Sequence, residues 1–230
     1  MRTYRGRVHQ PSPPFDALAA RRLREGLGMV PDHVAYGLRA QYGLLVAPQT
    51  VVAWERGGAV PNEQELTALA GVLWCSPADL IAAASTLREH RVGRGLSTEE
   101  LARRVGMAAH AYERMEEDGR WRGTERQTVA LAEALGLGPR ALITATGGDE
   151  ALTELLRDAA TTRWQAYVKP TVKLVPLPKR IVEAALRQLH SDYHVRMTAV
   201  SSWGAPGTTG DEGRAYLDGI TEHFWAAVGP

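Results

Sequence analysis

Apolar residues recur along this chain at intervals of three and four positions, the spacing that predicts amphipathic helices. Little of the sequence alternates with the period of two that strands require. Prolines and glycines divide the pattern into short segments, and each segment between two of them predicts one helix. The first predicted helix spans 15–27, and the second begins at Pro31 and ends at Gly43. The pattern as a whole predicts an all-α protein.

The stretch 47–57 predicts one short helix over residues 48–56. A proline stands at its first turn and a glycine after its last, where each residue is favoured. Val51 and Trp54 fall on one face, so the outward face carries small residues and one amide, Gln49. A glutamine with small neighbours can bond adenine in the major groove through both its oxygen and its nitrogen. Two interpretations stay open: a surface helix packed through its tryptophan, or a helix that reads bases.

The residues around this helix follow a definite order. Before it come Leu23, Arg24 and Gly28, and after it come Pro61, Leu66, Leu69, Leu73 and Leu80. In this order, residues 15–82 resemble the five-helix DNA-binding domain of the lambda-repressor-like, or XRE, family of helix-turn-helix regulators. In that family the helix that ends in Trp-Glu is the recognition helix. The resemblance therefore implies that residues 48–56 read the major groove.

The same order occurs a second time further along the chain. Ser97 and Glu100 have the spacing of a capping box at a helix start. Tyr112 and Met115 then follow at the spacing of the two buried residues in the first copy. The later positions repeat as well, at Leu131, Ala132, Leu135, Pro139 and Leu142. The repeat predicts two helix-turn-helix domains in tandem.

The chain as a whole predicts four segments. They are a flexible basic arm at 1–14, a first helix-turn-helix domain at 15–86, a second at 87–147 and an α-helical regulatory or dimerisation domain at 148–230. The arm is either a solvated tail or a segment that enters the minor groove with its arginines. Two tandem lambda-repressor-like domains followed by a helical C-terminal domain resemble multi-helix regulators of the actinobacterial type.

The resemblance implies DNA contacts from the outward side of each third helix and from its flanks. In the first domain these fall on Pro48, Gln49, Thr50, Ala53 and Arg56, and in the second on Thr98, His110, Arg114, Arg120 and Arg122. The resemblance also implies a partly buried ion pair in each domain, Arg24 with Glu55 and Arg91 with Glu116. We expect each pair to orient the third helix of its domain. The alternative is a set of exposed charges that never meet.

The two domains differ where they would meet DNA. Ala35 and Trp54 are further apart than the family pattern requires, so the second helix, its following turn, or both are longer. Pro31 stands where many relatives carry a glutamine that touches a phosphate, so that contact is missing. In the second domain the acids at 116–118 would repel phosphate. We expect the first domain to inspect bases and the second to position the chain or contact a partner.

Charge leaves two functional classes open. The chain has 27 Lys and Arg residues against 26 Asp and Glu residues, a net charge of +1, whereas nucleic-acid binders usually carry a basic footprint. Basic residues concentrate locally in the first 24 residues and at 120–126. The first class is a sequence-specific transcription regulator that binds double-stranded DNA. The second is a protein-interaction adaptor that keeps the helix-turn-helix fold without reading DNA.

The C-terminal segment is rich in aromatic residues at helical spacing. Such a stripe indicates a core, a ligand pocket or a docking surface. The partners that it would serve are a second copy of the chain, in a homodimer, and a small-molecule or protein effector. His190 and His194 share one helix face, but two histidines are too few for a metal site.

Several other classes find no support in the sequence. No phosphate-binding loop, serine elbow or Cys/His pair of catalytic spacing occurs, so we expect neither an enzyme nor a cofactor. The single cysteine, Cys75, excludes an internal disulfide. The sequence has neither a signal peptide nor an apolar stretch of membrane-spanning length. We therefore expect a cytoplasmic, nucleoid-associated protein without a membrane partner.

Overall fold

This computed structural model describes residues 14–201 and 209–229, and the regular secondary structure over those ranges is helical. Over those ranges the chain forms fourteen α-helices and two short 3-10 helices. The β structure there is an isolated antiparallel bridge between Phe15 and Ile81. The predicted all-α class is therefore confirmed. The predicted arm at 1–14 lies outside the described residues, apart from Pro14.

The chain divides into two compact units, residues 1–116 and 117–230. The helices of the first unit are α1 Ala17–Gly26, α2 Pro31–Tyr42, α3 Pro48–Glu55, α4 Glu63–Val72, a 3-10 helix Pro77–Leu80, α5 Leu87–Gly93, α6 Thr98–Val105 and α7 Ala109–Asp118. The division falls within the last turn of α7. The predicted domain boundaries at 86 and 147 stay predictions.

The second unit continues from the end of α7. Its helices are α8 Glu125–Leu135, α9 Pro139–Ala145, α10 Asp149–Thr161, a 3-10 helix Trp164–Tyr167, α11 Val168–Leu174, α12 Lys179–Ser201, α13 Thr209–Asp218 and α14 Ile220–Val228. Among the described residues, no helix combines the length and the apolar character needed to cross a membrane. Below, the first module means α1–α4 with the 3-10 helix Pro77–Leu80, and the second module means α5–α9.

Proline and glycine set the helix ends of the first module. α2 begins at Pro31 and stops before Gly43, whose φ of 67° lies in the left-handed region that glycine adopts at low cost. α3 begins at Pro48, and Gly57 follows it with a φ of 70°. Both helices thus begin and end within one residue of their predicted positions.

α2 and its following turn are both longer than their counterparts in the second module. α2 has 12 residues and α6 has 8. The turn that leads to the third helix occupies 43–47 in the first module and 106–108 in the second. The wide spacing of Ala35 and Trp54 therefore arises both from a longer second helix and from a longer turn after it.

The first module closes over a core to which each helix contributes one apolar face. Val34 and Leu38 of α2, Val51 and Trp54 of α3 and Leu66 of α4 are all buried in it. Trp54 is the largest of these side chains and fastens α3 from its inward side. The opposite side of α3 is left towards solvent, as its pattern predicts.

The second unit has its own core, in which α10, α12 and α14 pack together. α10 contributes Leu152 and Leu156 to this core. The apolar spacing of Tyr216, Ile220 and Phe224 predicts one last helix, and this expectation was wrong, because Gly219 divides the segment into α13 and α14.

Candidate nucleic-acid interface

The outward face of α3 forms one wall of a groove of about 600 Å³. The groove is lined by Pro31, Asp32, Pro48, Gln49, Val52, Ala53, Arg56 and Gly58. Four of the five residues predicted for this helix are among them, and Thr50 is not. Gln49 and Arg56 are exposed, while Val52 and Ala53 are half-buried. The groove therefore presents an amide and a guanidinium beside small side chains.

Asp32 places a carboxylate in the same groove. It lies in the first turn of α2, where a negative charge stabilises a helix by interacting with its dipole. The same charge opposes the approach of phosphate, because nucleic-acid affinity depends on cationic contacts. No pattern in the sequence assigns Asp32 to the interface. Arg56 is the basic counterpart, so the groove is balanced in charge.

Arg24 on α1 binds Glu55 at the end of α3 through two hydrogen bonds. Its Nε donates to Oε1 at 2.6 Å, and its Nη2 donates to Oε2 at 2.8 Å. Its Nη1 donates to the carbonyl of Met29 at 2.6 Å, so the same guanidinium holds the turn after α1. The hydrogen bonds to Glu55 raise the pKa of Arg24 above its ordinary value despite partial burial. This two-point contact constrains the direction of α3.

Arg91 on α5 repeats this arrangement in the second module. Its Nε donates to Oε2 of Glu116 at 2.9 Å, and its Nη2 donates to Oε1 at 2.7 Å. Its Nη1 donates to the carbonyl of Leu96 at 2.8 Å, five residues ahead, as Arg24 does to Met29. The fold thus brings together the residues of both predicted ion pairs.

The residues predicted to bind DNA in the second module lie at or near the surface. His110, Arg114, Arg120 and Arg122 are exposed, and Thr98 is half-buried. The Thr98 hydroxyl lies 3.2 Å from Oε2 of Glu99 and 3.5 Å from Oε1 of Glu113. Because it faces two carboxylates, Thr98 is poorly placed to contact a phosphate.

The acidic end of α7 repels phosphate less than the sequence implies. Glu116 is largely buried and paired with Arg91, which compensates its charge. Asp118 accepts a hydrogen bond from Nη1 of Arg122 at 3.0 Å. Two of the three acids at 116–118 are therefore paired with arginines, and the expected repulsion is reduced.

Trp121 anchors the loop that follows α7. Its Nε1 donates to Oγ1 of Thr128 at 2.8 Å, and its backbone N–H donates to the carbonyl of Thr146 at 3.1 Å. The neighbouring Arg120 and Arg122 are exposed on either side of it in sequence. The loop therefore holds two guanidinium groups at the surface from a fixed base.

Glu63 belongs to this region, although no pattern in the sequence indicates it. Its carboxylate accepts hydrogen bonds from Nη1 and Nη2 of Arg91 at 2.5 and 3.2 Å, and from Nε of Arg88 at 3.3 Å. Glu63 is the first residue of α4, where an acid is common because it stabilises the helix start. No local signal indicates that its partner lies 28 positions away.

Aromatic residues of the C-terminal segment contribute to a core, in which Tyr216 and Phe224 are buried. The rings of Tyr216 and His223 stack with centroids 4.4 Å apart, and Cζ of Arg196 lies 4.4 Å from the centroid of the Tyr216 ring. A cavity of about 340 Å³ adjoins these three residues. His190 and His194 have ring centroids 4.3 Å apart. Within the described ranges, no cluster of three possible metal ligands occurs.

A family model of a helix-turn-helix domain matches residues 82–146. The match contains α5–α9 and agrees within five residues with the second predicted domain, 87–147. No curated protein and no solved structure matches the chain. The resemblance of the first module to the XRE family, and the tandem arrangement, stay predictions. Residues 82–146 are therefore similar to a helix-turn-helix domain, and the described part of the chain around them is all-α.

Proposed function

We propose that this chain is a transcription regulator that binds a specific DNA sequence and reads it in the major groove with α3. Gln49 carries the proposal, because it is exposed in the groove beside the half-buried Val52 and Ala53. Small neighbours let an amide approach a base edge closely enough to form two hydrogen bonds with adenine. The ion pair of Arg24 with Glu55 supports the proposal, since a helix held in place loses little entropy on binding.

The second module has a different role in this proposal, namely to hold the DNA backbone. Arg120 and Arg122 flank the anchored Trp121 and present two guanidinium groups to phosphate, of which that of Arg122 is shared with Asp118. His110 and Arg114 are exposed on α7 and add further contacts. The match to a helix-turn-helix domain supports this role, because that class of domain is known for DNA binding. We propose no catalytic activity, because the class is typically not enzymatic.

The C-terminal domain, residues 148–230, completes the proposed regulator. Its aromatic helices would join two copies of the chain or bind a small-molecule or protein effector, and the cavity beside Tyr216 and His223 supports the effector. A regulator of this kind acts at the nucleoid, in the cytoplasm. The XRE-like specificity of the first module and its tandem relation to the second belong to the same proposal.

Selection of binding sites from a random DNA library tests the proposal directly. The purified full chain is used at low and at physiological salt, because counterion release makes non-specific binding fall steeply with salt. We expect a reproducible motif that persists at the higher salt. Retention of all sequences at low salt, with no motif at the higher salt, would contradict a specific regulator.

The adaptor hypothesis has one observation in its favour, the carboxylates near both DNA-facing surfaces. Asp32 lines the groove of α3, and Glu113 faces Thr98 at the start of α6. If the selection yields no motif, this hypothesis predicts that the purified chain binds another protein instead. Affinity capture with the full chain, followed by reconstitution with the purified partner, distinguishes the two functions.

A further inference from the structure

The two modules meet at a packed junction rather than across a free linker. Residues 81–86 connect the 3-10 helix Pro77–Leu80 to α5. Val92 of α5 is buried in the same apolar core as Trp54 of the first module. The carbonyl of Gly93 accepts a hydrogen bond from the Ser76 hydroxyl at 3.4 Å. α5 therefore packs against the first module while it begins the second.

Arg91 uses all five N–H groups of its guanidinium at this junction. Two donate to Glu116, two to Glu63 and one to the carbonyl of Leu96. Its side chain is only 2% exposed. The counterpart in the first module, Arg24, makes its hydrogen bonds within its own module. Glu63 thus adds a contact between modules that the repeated ion pair does not require.

At the junction, the apolar contact constrains the distance between α5 and the first module, whereas the ion pair constrains their angle. Burial of Val92 is non-directional, so it keeps α5 close to the first module without fixing an angle. A carboxylate that accepts from two N–H groups of one guanidinium has a defined plane and direction. Arg88 adds a second donor to the same carboxylate at 3.3 Å. The angle between α5 and the first module therefore depends on Glu63 more than on the apolar contact.

We infer that Glu63 is the positioning residue that holds α3 and α7 at a fixed angle, so that the two modules bind one composite DNA site of fixed spacing. The inference rests on the proposed function. α3 and the residues of α7 up to Glu116 lie in one compact unit. Glu116 joins α7 to Arg91, and Glu63 joins Arg91 to the first module. One guanidinium thus connects α7 to α4 of the first module, and α4 shares an apolar core with α3.

The angle can be measured without DNA, by pulsed electron spin resonance on the full chain. Spin labels are placed at Arg39→Cys on α2 and Arg104→Cys on α6, both exposed positions, in a Cys75→Ala background. We expect one narrow distance distribution in the parent protein and a broad one in Glu63→Ala. Glu63→Gln, which keeps the shape of the side chain, should give an intermediate width.

Glu65→Ala is the matched control. Glu65 lies in the same turn of α4 and accepts a hydrogen bond from the backbone N–H of Asn62 at 2.8 Å. Its loss weakens the start of α4 without touching Arg91, so the distance distribution should stay narrow. An equally narrow distribution in Glu63→Ala, or an equally broad one in Glu65→Ala, would overturn the inference.

Binding to spaced DNA sites tests the consequence for recognition. Five base pairs inserted between the two parts of the selected site rotate one part by about half a turn of the helix. The parent protein should lose roughly tenfold or more in affinity, and Glu63→Ala roughly threefold or less. Equal losses in both proteins would overturn the inference. If no site is selected at all, the proposed function fails, and the distance measurement alone decides the role of Glu63.

Discussion

Arg91 binds Glu116 through two hydrogen bonds of 2.9 and 2.7 Å, and its side chain is 2% exposed. In such a buried pair, the cost of removing both charges from water offsets most of their attraction, so the pair adds little net stability. Removal of one partner is strongly destabilising, because the other partner is left as an uncompensated buried charge. Arg24 and Glu55 form the same pair with side chains 10% and 9% exposed.

Replacement of Arg91 by Met should therefore destabilise the protein strongly. We expect a loss of about 3–5 kcal/mol, the usual result of removing one partner of a buried pair. Arg24→Met should cost less, because its partner is slightly more accessible and Arg24 binds one carboxylate through hydrogen bonds rather than two. Urea unfolding followed by circular dichroism measures both variants.

A surface pair provides the control for this series. Arg21 donates to Glu25 at 2.8 Å, but both side chains are more than half exposed. Exposed pairs contribute little because water and salt screen them, so Arg21→Met should unfold at nearly the same urea concentration as the parent protein. An Arg91→Met variant as stable as Arg21→Met would show that the Arg91 pair is not buried in solution.

Tyr112→Phe should leave the protein as stable as before or make it more stable. The Tyr112 hydroxyl is buried and lacks a hydrogen-bond partner among the described residues, and burial together with the charge of Glu116 raises the pKa of this phenol. An unsatisfied buried hydroxyl costs about 1–3 kcal/mol, which phenylalanine of the same shape recovers in part. Thermal unfolding shows whether Tm rises or falls in Tyr112→Phe, and a clear fall would show that the hydroxyl forms a hydrogen bond.

Trp74→Gly should stabilise the first module. Trp74 has a φ of 56° and is 87% exposed as a residue, so it adopts a left-handed conformation and gains little packing energy there. That conformation costs a residue with a side chain about 1 kcal/mol or more relative to glycine. Trp74→Ala is the matched control, because it removes the indole but keeps the strain. Equal unfolding midpoints for Trp74→Gly and Trp74→Ala would show that the backbone at residue 74 is not strained.

Glu63→Gln should make the free energy of unfolding depend less on pH in the acid range. Burial acts to raise the pKa of Glu63, but hydrogen bonds and charges of Arg91 and Arg88 outweigh it and lower the pKa below its usual value. Because the folded pKa lies below the unfolded one of about 4.3, the carboxylate stabilises the fold above that pH. This stabilisation is lost as the pH falls through the folded pKa.

Denaturant unfolding at several pH values between neutral and acid measures this effect. The parent protein should lose more free energy of unfolding on acidification than Glu63→Gln does. Glu65→Gln again controls for the loss of one acid in the same turn of α4. Parallel profiles for the parent and Glu63→Gln would mean that the bonds of Glu63 to Arg91 do not persist in solution.

The helix ends of the first module could be predicted because their causes are local. Pro31 and Pro48 begin helices, and Gly43 and Gly57 follow them in left-handed conformations, whatever the rest of the chain does. Gly219 is the counterexample. The apolar spacing continues across it, so the pattern predicts one helix where the structure has two.

The candidate site could be predicted only in part, because its contacts are distant in sequence. The position of Gln49 follows from the pattern of one short helix, and both arginine–glutamate pairs follow from the family resemblance. Glu63 and Asp32 were missed because an acid in the first turn of a helix is already explained by the helix itself. The tertiary partner of Glu63, Arg91, depends on packing that no local pattern encodes.

The affinity of Gln49→Ala for the selected DNA site tests the reading role of α3 most directly. Gln64→Ala, an exposed amide on α4 outside the groove, is the matched control. We predict that Gln49→Ala loses about 1–3 kcal/mol of binding free energy and no longer distinguishes the base pair that it contacts, while Gln64→Ala binds like the parent protein. Unchanged affinity and unchanged base preference in Gln49→Ala would contradict the account.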